Sequence, residues 1–424
     1  MAIVSQIMKE AFALGHPLAL LNGAPHIYNG SYWSSISNDE LTTFLREAAI
    51  KTDDNRVVSI HHKALRDITK QFLSSLDREQ PSNRSGRVLI NLKDGTYEIL
   101  NGKGFRRDFD QADLLTYALP FRHDPNAKCP RWDAFLNRVL PDESSQQVLA
   151  EFFGYSLTKL KLEKALFLLG NGANGKGVVY EVVRALFGNE NVTSFELAEL
   201  EKDSYRPNIV GKLLNYSSEL ARSKDVNIFK KLVSGEPITA RKLYCEAFET
   251  DDYPRLAFNC NTLPAFGERN EAVARRILAI PFNVTIPRHE RDPKLAEKII
   301  DSELSGVFNW VLKGLNRLIN NKGFSEYTAA DYLAARYRSD TEGVSEFLRS
   351  HLYSESRSGD VIALAVLHRE FADFCNQSGH VPISDHKLHA ILHELGYESV
   401  KRNTGQHIYA SKTPALGTYN PIAE

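Results

Sequence analysis

Cysteine is scarce in this chain. Its four residues, Cys129, Cys245, Cys260 and Cys375, lie far apart and form no CxxC pair, which excludes a disulfide framework and a zinc knuckle. Long apolar runs are absent as well: none approaches the ~20 residues of a membrane span. The stretch 11–21 follows Glu10 and is broken by Gly15, His16 and Pro17, so it does not read as a signal peptide. Charge of one sign is missing too. Lys plus Arg is 52 and Asp plus Glu is 53, a net charge of −1. That balance excludes a surface that is basic all over but leaves room for a local basic seam. No segment repeats at a period of about 20–50 residues, which excludes a solenoid or propeller. These absences leave the expectation of a soluble, cytoplasmic chain with no membrane partner. With 42% hydrophobic and 25% charged residues among 424, it has an ordinary globular balance and length for several cores.

Five parts follow from the pattern. Residues 1–125 mix extended stretches (HIYNGSYW, RVLINLKDGTYEIL) with helical ones (ELTTFLREAAI, HHKALRDITKQFLSSL), and the polar run 77–86 reads as an exposed loop. Over 126–162 the pattern turns helical. Trp132, Phe135, Leu136 and Val139 take the i, i+3, i+4, i+7 spacing of one buried face, and residues 142–145 can cap the next helix. From 163 to 320 apolar strands (ALFLLG, KLLNYSSEL, RLAFNC, ILAIPF) alternate with helices, predicting an α/β core around a largely parallel, buried sheet. Residues 321–344 read as a connecting helical segment. Segment 345–424 reads as three helices, a glycine-turned hairpin (ESVKRNTGQHIYAS) and a tail, which is the order of a winged-helix domain.

The strongest local feature is GNGANGKG at 170–177, which follows an apolar strand and opens a helix. That context lets backbone N–H groups cradle phosphates. Gly170, Gly172 and Gly175 allow close approach, and Lys176 would reach the terminal phosphates as a point charge. Gly177 stands where Ser or Thr usually meets Mg²⁺. Downstream, Glu219 ends an apolar strand, where a carboxylate can polarise water and hold a metal's water shell. Asn261 follows the strand RLAFNC and can position water, or merely form a turn before Pro264. Arg275 and Arg276 precede ILAIPF, either as a surface ion-pair couple or as a finger donated to a neighbour's nucleotide.

Together GNGANGKG, KLLNYSSEL, FKKLVSGEPITARKLYCEAF, RLAFNCNTLP and ARRILAIPF resemble the motor of superfamily 3 helicases. More narrowly, they resemble the helicase half of the phage, plasmid and large-DNA-virus primase–helicase family. INLKDGTYEI, LPFRHDPNAKCPRWDAFLNRVLP and EFFGYSL extend the resemblance upstream, so that it covers about residues 20–410. It implies an AAA+-type P-loop NTPase core with a mixed N-terminal region, a helical domain before the motor and a C-terminal winged helix. Carried onto this chain, the phosphate loop comprises Gly170, Asn171, Gly172, Ala173, Asn174, Gly175, Lys176, Gly177 and Val178. Glu219 becomes the Walker B acid and, through water, the Mg²⁺ holder. Asn261 becomes sensor 1, and Arg275 or Arg276 the arginine finger. ATP and Mg²⁺ are the implied cofactors, with ATP hydrolysed between subunits of a homo-hexameric ring that moves 3′→5′ on single-stranded or forked DNA. A separate primase or initiator protein is an implied partner, since no primase module is expected within these residues.

Two surfaces are expected to touch DNA. The segment FKKLVSGEPITARKLYCEAFETDDYPRLAFN reads as two short strands around a turn. It offers Lys230, Lys231, Arg241 and Lys242 to phosphates and Tyr244 for stacking, with Lys242 matching the family's hairpin lysine. In the C-terminal part Ser384 is a predicted N-cap. Lys387 lies on the following helix, and Lys401 and Arg402 on the wing. Asp108, Asp110 and Asp113 are spaced like paired catalytic carboxylates, but an exposed acidic turn accounts for them better. A second reading competes with the helicase: an initiator or loading scaffold that uses ATP as a switch and unwinds little. Gly177 favours it.

Overall fold

Five apolar strands between residues 165 and 281 pair into one sheet, which carries the glycine-rich loop. A computed structural model describes residues 2–13, 17–21, 23–52, 62–76, 78–79, 87–100, 102–170, 172–218, 226–242, 246–261, 273, 275–327, 343–356, 359–378, 380 and 382–412. Helix α1 (Ala2–Ala13) precedes strands β1 (Leu18–Leu21), β2 (Ala24–Tyr28) and β3 (Trp33–Ser35), and helices α2 (Asn38–Thr52) and α3 (His62–Ser75) follow. Leu18, Leu41, Leu45, Leu65 and Phe72 share their core. Strand β4 (Arg78–Glu79) returns parallel to β1, so this part of the stretch expected to be a loop is extended and paired. The remainder of 77–86 lies outside the described residues.

Strands β5 (Arg87–Leu92), β6 (Gly95–Leu100) and β7 (Lys103–Arg107) form an antiparallel meander. Of the three acids expected on an exposed turn, Asp108 and Asp110 are exposed, and Asp110 accepts the Ala112 N–H at 2.9 Å. Asp113 departs from that reading. Its carboxylate is buried against Arg107 at 2.6 Å and Arg87 at 3.4 Å. The same two arginines hold Glu98, whose carboxyl the Arg87 hydrogen bond above all lowers to about 2. These acids serve a turn cap and an ion-pair network.

Helix α4 (Pro130–Val139) buries Trp132, Phe135, Leu136 and Val139, the expected face. Helix α5 (Glu143–Ser156) starts at Asp142, which accepts the Ser145 N–H at 3.1 Å. The central sheet then comprises β8 (Ala165–Leu169), β9 (Val192–Thr193), β10 (Leu214–Ser217), β13 (Arg255–Cys260) and β14 (Ile277–Pro281), in the order β14-β8-β13-β10-β9. Every pairing in it is parallel, as continuous apolar strands between helices require. Helices α6 (Lys176–Phe187), α7 (Leu197–Leu200) and α8 (Val226–Ser234) connect the strands, and β11 (Ile238–Ala240) and β12 (Phe248–Thr250) form a separate antiparallel pair.

Helix α9 (Leu295–Asn321) is ~40 Å long at 1.5 Å per residue and packs on α5 and α6. Close approach depends on Gly306 and Gly314, where an added Cβ would stand 2.4 Å from the backbone of Lys128 and of Ala150. Glu151, fully buried on α5, accepts from Arg317 at 2.6 Å and ties the two helices. One continuous core runs from Ile90, Leu119 and Phe121 through Trp132 and Phe152 to Leu166, Val183 and Phe308. The boundary expected at 125/126 therefore falls inside a shared core. No helix among the described residues is long and apolar enough to cross a membrane.

The last part has its own core. Helix α10 (343–350), β15 (Tyr353–Glu355), β16 (Val361–Ala363), α11 (Leu364–Ser378), α12 (Asp385–Glu394), β17 (Ser399–Arg402) and β18 (Gly405–Lys412) pack around Phe347, Leu367, Phe371, Leu388 and Ile408. The expected connecting helix over 321–344 is not seen at its start: Asn321 ends α9 and residues 322–327 are not helical. Residues 328–342 lie outside the described residues.

Candidate functional site

The glycine-rich loop joins the carboxyl end of β8 to the N-terminus of α6, between the two neighbours of β8 in the sheet. Cys260, at the end of β13, accepts the Gly170 N–H at 3.0 Å. On the other side the Phe282 N–H donates to Leu169 at 2.7 Å and the Ile286 N–H to Ala173 at 2.8 Å. Asn174 is buried, and its Nδ2 donates to the Phe282 carbonyl at 3.1 Å. Gly175 has φ +90°, and a Cβ there would lie 2.9 Å from the Phe135 ring and from Val139. Its missing side chain lets the loop sit down on α4. Asn171 lies outside the described residues; Gly172 and Ala173 are exposed, and Val178 is half-buried in the first turn of α6.

Lys176 is the first residue of α6 and is buried. Its Nζ donates to the Gly170 carbonyl and to Asn174 Oδ1 at 3.3 Å. Both partners are neutral, and among the described residues no carboxylate lies within ion-pair distance of it. Burial lowers its pKa from the ordinary lysine value. A buried ammonium with neutral partners is costly, and it stands where backbone N–H groups and the helix dipole favour an anion. Gly177 is exposed, and a Cβ built on it meets nothing within 4 Å.

The parallel register places the other pieces. Cys260 pairs with Leu169 and Ser217 with Phe258, so the ends of β13 and β10 share the edge at which the loop lies. Ser217 is buried there, Ser218 is exposed, and Glu219 lies outside the described residues. Asn261 is exposed just past β13. Sequence reasoning missed Asn259, a buried amide that accepts the Tyr216 hydroxyl at 3.0 Å. Its signal was an amide inside an otherwise apolar strand.

The two arginines occupy the opposite edge. Arg276 accepts the Ala165 N–H at the amino end of β8, four residue steps, or roughly 13 Å of strand, from the loop. They also differ from one another. Arg276 is buried, paired with Glu163 at 2.8 Å and bonded to Ser234 Oγ at 2.9 Å. Arg275 is exposed and stands 3.8 Å from Glu163.

The expected two-stranded segment is narrower than the sequence suggested. FKKLVS belongs to α8, because Ile228, Phe229, Leu232 and Val233 bury one helical stripe. Lys230 and Lys231 therefore lie on a helix. The hairpin is β11–β12, with Ala240 opposite Phe248. Arg241 and Lys242 follow β11 and are exposed, Arg241 standing 3.4 Å from Asp203. Among the described residues Lys242 has no ion-pair partner. Tyr244 lies outside the described residues. In the C-terminal part Ser384 accepts the Lys387 N–H at 3.3 Å as the N-cap of α12, Lys387 is half-buried, and Lys401 and Arg402 are exposed at the β17–β18 turn.

Residues 22–141 match the model of a family described as D5 N terminal like, and residues 168–276 match a family of unknown function, DUF5906. Two viral proteins named as candidate helicases are similar to the chain. L207/L206 of Acanthamoeba polyphaga mimivirus is 23% identical over 241 residues, 54% of this chain and 24% of that protein. 121R of Invertebrate iridescent virus 3 is 23% identical over 240 residues, 51% of this chain and 25% of that protein. These matches support a likeness to the phage and viral primase–helicase family. The chain spans about a quarter of the length of these two relatives. Among solved structures, the apo C-terminal region of NrS-1 is similar at 14% identity and a TM-score of 0.49, over 95% of this chain and 97% of that one.

Proposed function

We propose that the chain is an ATP-driven superfamily 3 DNA helicase acting in replication of a phage, plasmid or other mobile element, with ATP hydrolysed between the subunits of a hexameric ring. The observation that carries this reading is Lys176, a buried cation with neutral partners at a helix N-terminus beside a glycine loop. The loop residues 170–178 then form a P-loop for the ATP phosphates. Glu219 and Asn261 are assigned to the attacking water, Asn261 at the carboxyl edge of an AAA+-type sheet. Mg²⁺, when bound, neutralises charge between the phosphates; Glu219 would hold it through water, with Ser217 and Ser218 beside it.

Because Arg275 and Arg276 sit at the far edge of their own sheet, a finger among them serves the nucleotide of a neighbouring subunit. Arg275, the exposed one, fits that part. The β11–β12 hairpin presents Arg241 and Lys242 to a DNA strand, with Lys230, Lys231 and Tyr244 proposed as further DNA contacts. The C-terminal part is read as a winged helix, with Lys387, Lys401 and Arg402 toward DNA or a partner such as a primase. The domain division follows the same reading, with the motor over 163–320 and the winged helix over 345–424.

Strand displacement on forked DNA tests this function. The parent separates strands only with ATP and Mg²⁺. In Lys242→Ala, displacement falls by roughly tenfold or more, since a charge-assisted contact is worth about 1.5–3 kcal/mol, while basal ATPase is kept. Equal loss of basal ATPase would assign Lys242 to the nucleotide site or to the fold. Rings formed with ATP but separating no strands would favour the scaffold reading, for which Gly177 speaks.

Gly177 makes a second, independent prediction. Without a hydroxyl there, Mg²⁺ would rely on phosphate oxygens and waters, which its preference for retained waters permits. The space around the missing Cβ is open, so Gly177→Ser is expected to fold as the parent does. Half-saturation by Mg²⁺ then moves to a lower concentration with turnover at saturation unchanged. A titration of ATPase against Mg²⁺ that superimposes on the parent's would show that the metal is held elsewhere.

A further inference from the structure

Residues 159–164, Lys-Leu-Lys-Leu-Glu-Lys, run from the end of α5 toward β8, and their side chains reach separate parts of the molecule. Lys161 Nζ donates to the Gly235 carbonyl at 2.7 Å and stands 4.0 Å from Asp251. Lys159 pairs with Asp252. Gly235 lies between α8 and β11, and Asp251 and Asp252 follow β12, so both feet of the hairpin are tied to this segment. Arg255 adds to the tie by donating to the Leu160 carbonyl, with its guanidinium 4.4 Å over the Tyr155 ring.

At the other end Glu163 has φ +54°, a conformation costly for a residue with a side chain. Its carboxylate holds Arg276 at 2.8 Å and stands 3.8 Å from Arg275. Lys164 donates to the Arg275 carbonyl. Arg276 continues to Ser234 Oγ, at 2.9 and 3.2 Å, in the last turn of α8. The two arms of Glu163 differ in strength. The Arg275 pair is long and exposed and yields readily to a competing phosphate. Arg276 is buried, so it does not move without moving Ser234 and the end of α8.

We infer that residues 159–164 are a coupling strap, in which Glu163, Lys161 and Ser234 are positioning residues that make the DNA affinity of the hairpin depend on what Arg275 touches. This inference rests on the reading of Arg275 as the group that serves a neighbour's ATP. When Arg275 leaves Glu163 for a phosphate, the carboxylate is left to Arg276 alone. The shift passes through Ser234 and Lys161 to both feet of β11–β12.

The test measures affinity of the full chain for a fluorescent single strand, with and without a slowly hydrolysed ATP analogue. In the parent the analogue changes DNA affinity by about fivefold or more, the usual scale of coupling between sites. Ser234→Ala and Lys161→Met each bring that ratio to within about twofold of one, while affinity for the analogue and for DNA alone stays near the parent's. Ser234→Thr, which keeps the oxygen, restores the ratio. A merely structural role would lower the melting temperature and leave the ratio standing. The inference is overturned if the parent shows no coupling or if either variant keeps the parental ratio. Arg275→Ala separates the two layers. Lost ATPase in Arg275→Ala with an intact ratio in Ser234→Ala refutes the strap alone. Parental ATPase in Arg275→Ala refutes the finger reading, and the strap with it.

Discussion

Lys176→Ala should lower ATP hydrolysis by about a hundredfold or more, the scale on which a lost transition-state donor acts. The expectation comes from where the ammonium sits: it is buried at the first turn of α6 and its partners are neutral. Little in the fold depends on it. Its removal frees one backbone carbonyl and one amide oxygen beside an exposed loop, so the melting profile should stay close to the parent's. Glu219→Gln should behave differently, keeping affinity for ATP and losing turnover, because it removes a base and leaves the phosphate contacts. Steady-state ATPase beside binding of a fluorescent ATP analogue distinguishes the two. Hydrolysis at the parental rate by Lys176→Ala would remove the P-loop assignment, and by Glu219→Gln the Walker B assignment.

The adjacent arginines should separate as sharply. Arg275→Ala leaves the fold untouched, since its side chain is exposed and its nearest carboxylate is 3.8 Å away, yet it should abolish ATPase in the assembled protein. Arg276→Ala should instead cost about 2–3 kcal/mol of stability, the range for lost hydrogen bonds to a charged group, because Glu163 and Ser234 lose their shared donor. Thermal unfolding and ATPase measured on the same preparations decide. A destabilised Arg275→Ala with normal turnover, or a stable Arg276→Ala with none, would reverse the roles.

The loop and its flanks were legible because they are local. ALFLL is apolar along its whole length, as a strand covered on both faces must be. It runs directly into the glycines and then into a helix, so three contiguous elements carry the signal. The parallel sheet was legible for the same reason, and the buried face of α4 from its spacing. The strand order was not, because β13 pairs with β8 across about ninety residues of intervening chain. Nor did two identical neighbours reveal which arginine is buried: Arg276 holds Glu163 at 2.8 Å against 3.8 Å for Arg275 and also reaches Ser234, and both partners are distant in sequence. The two-strand reading of the segment fails at FKKLVS, where Ile228, Phe229, Leu232 and Val233 carry a helical stripe. Asp113 looked like part of an acidic turn until Arg87 and Arg107 came together around it.

The central claim, a nucleotide shared by two subunits, is tested most directly by mixing two inactive proteins. Lys176→Ala keeps a good arginine and Arg275→Ala keeps a good loop, so in a mixed head-to-tail ring some interfaces unite the intact halves. ATPase of an equal mixture, with co-assembly confirmed by pull-down of a tagged variant, should recover to about a quarter of the parental rate, the share of such interfaces under random head-to-tail assembly. A co-assembled mixture as inactive as its components would contradict the account.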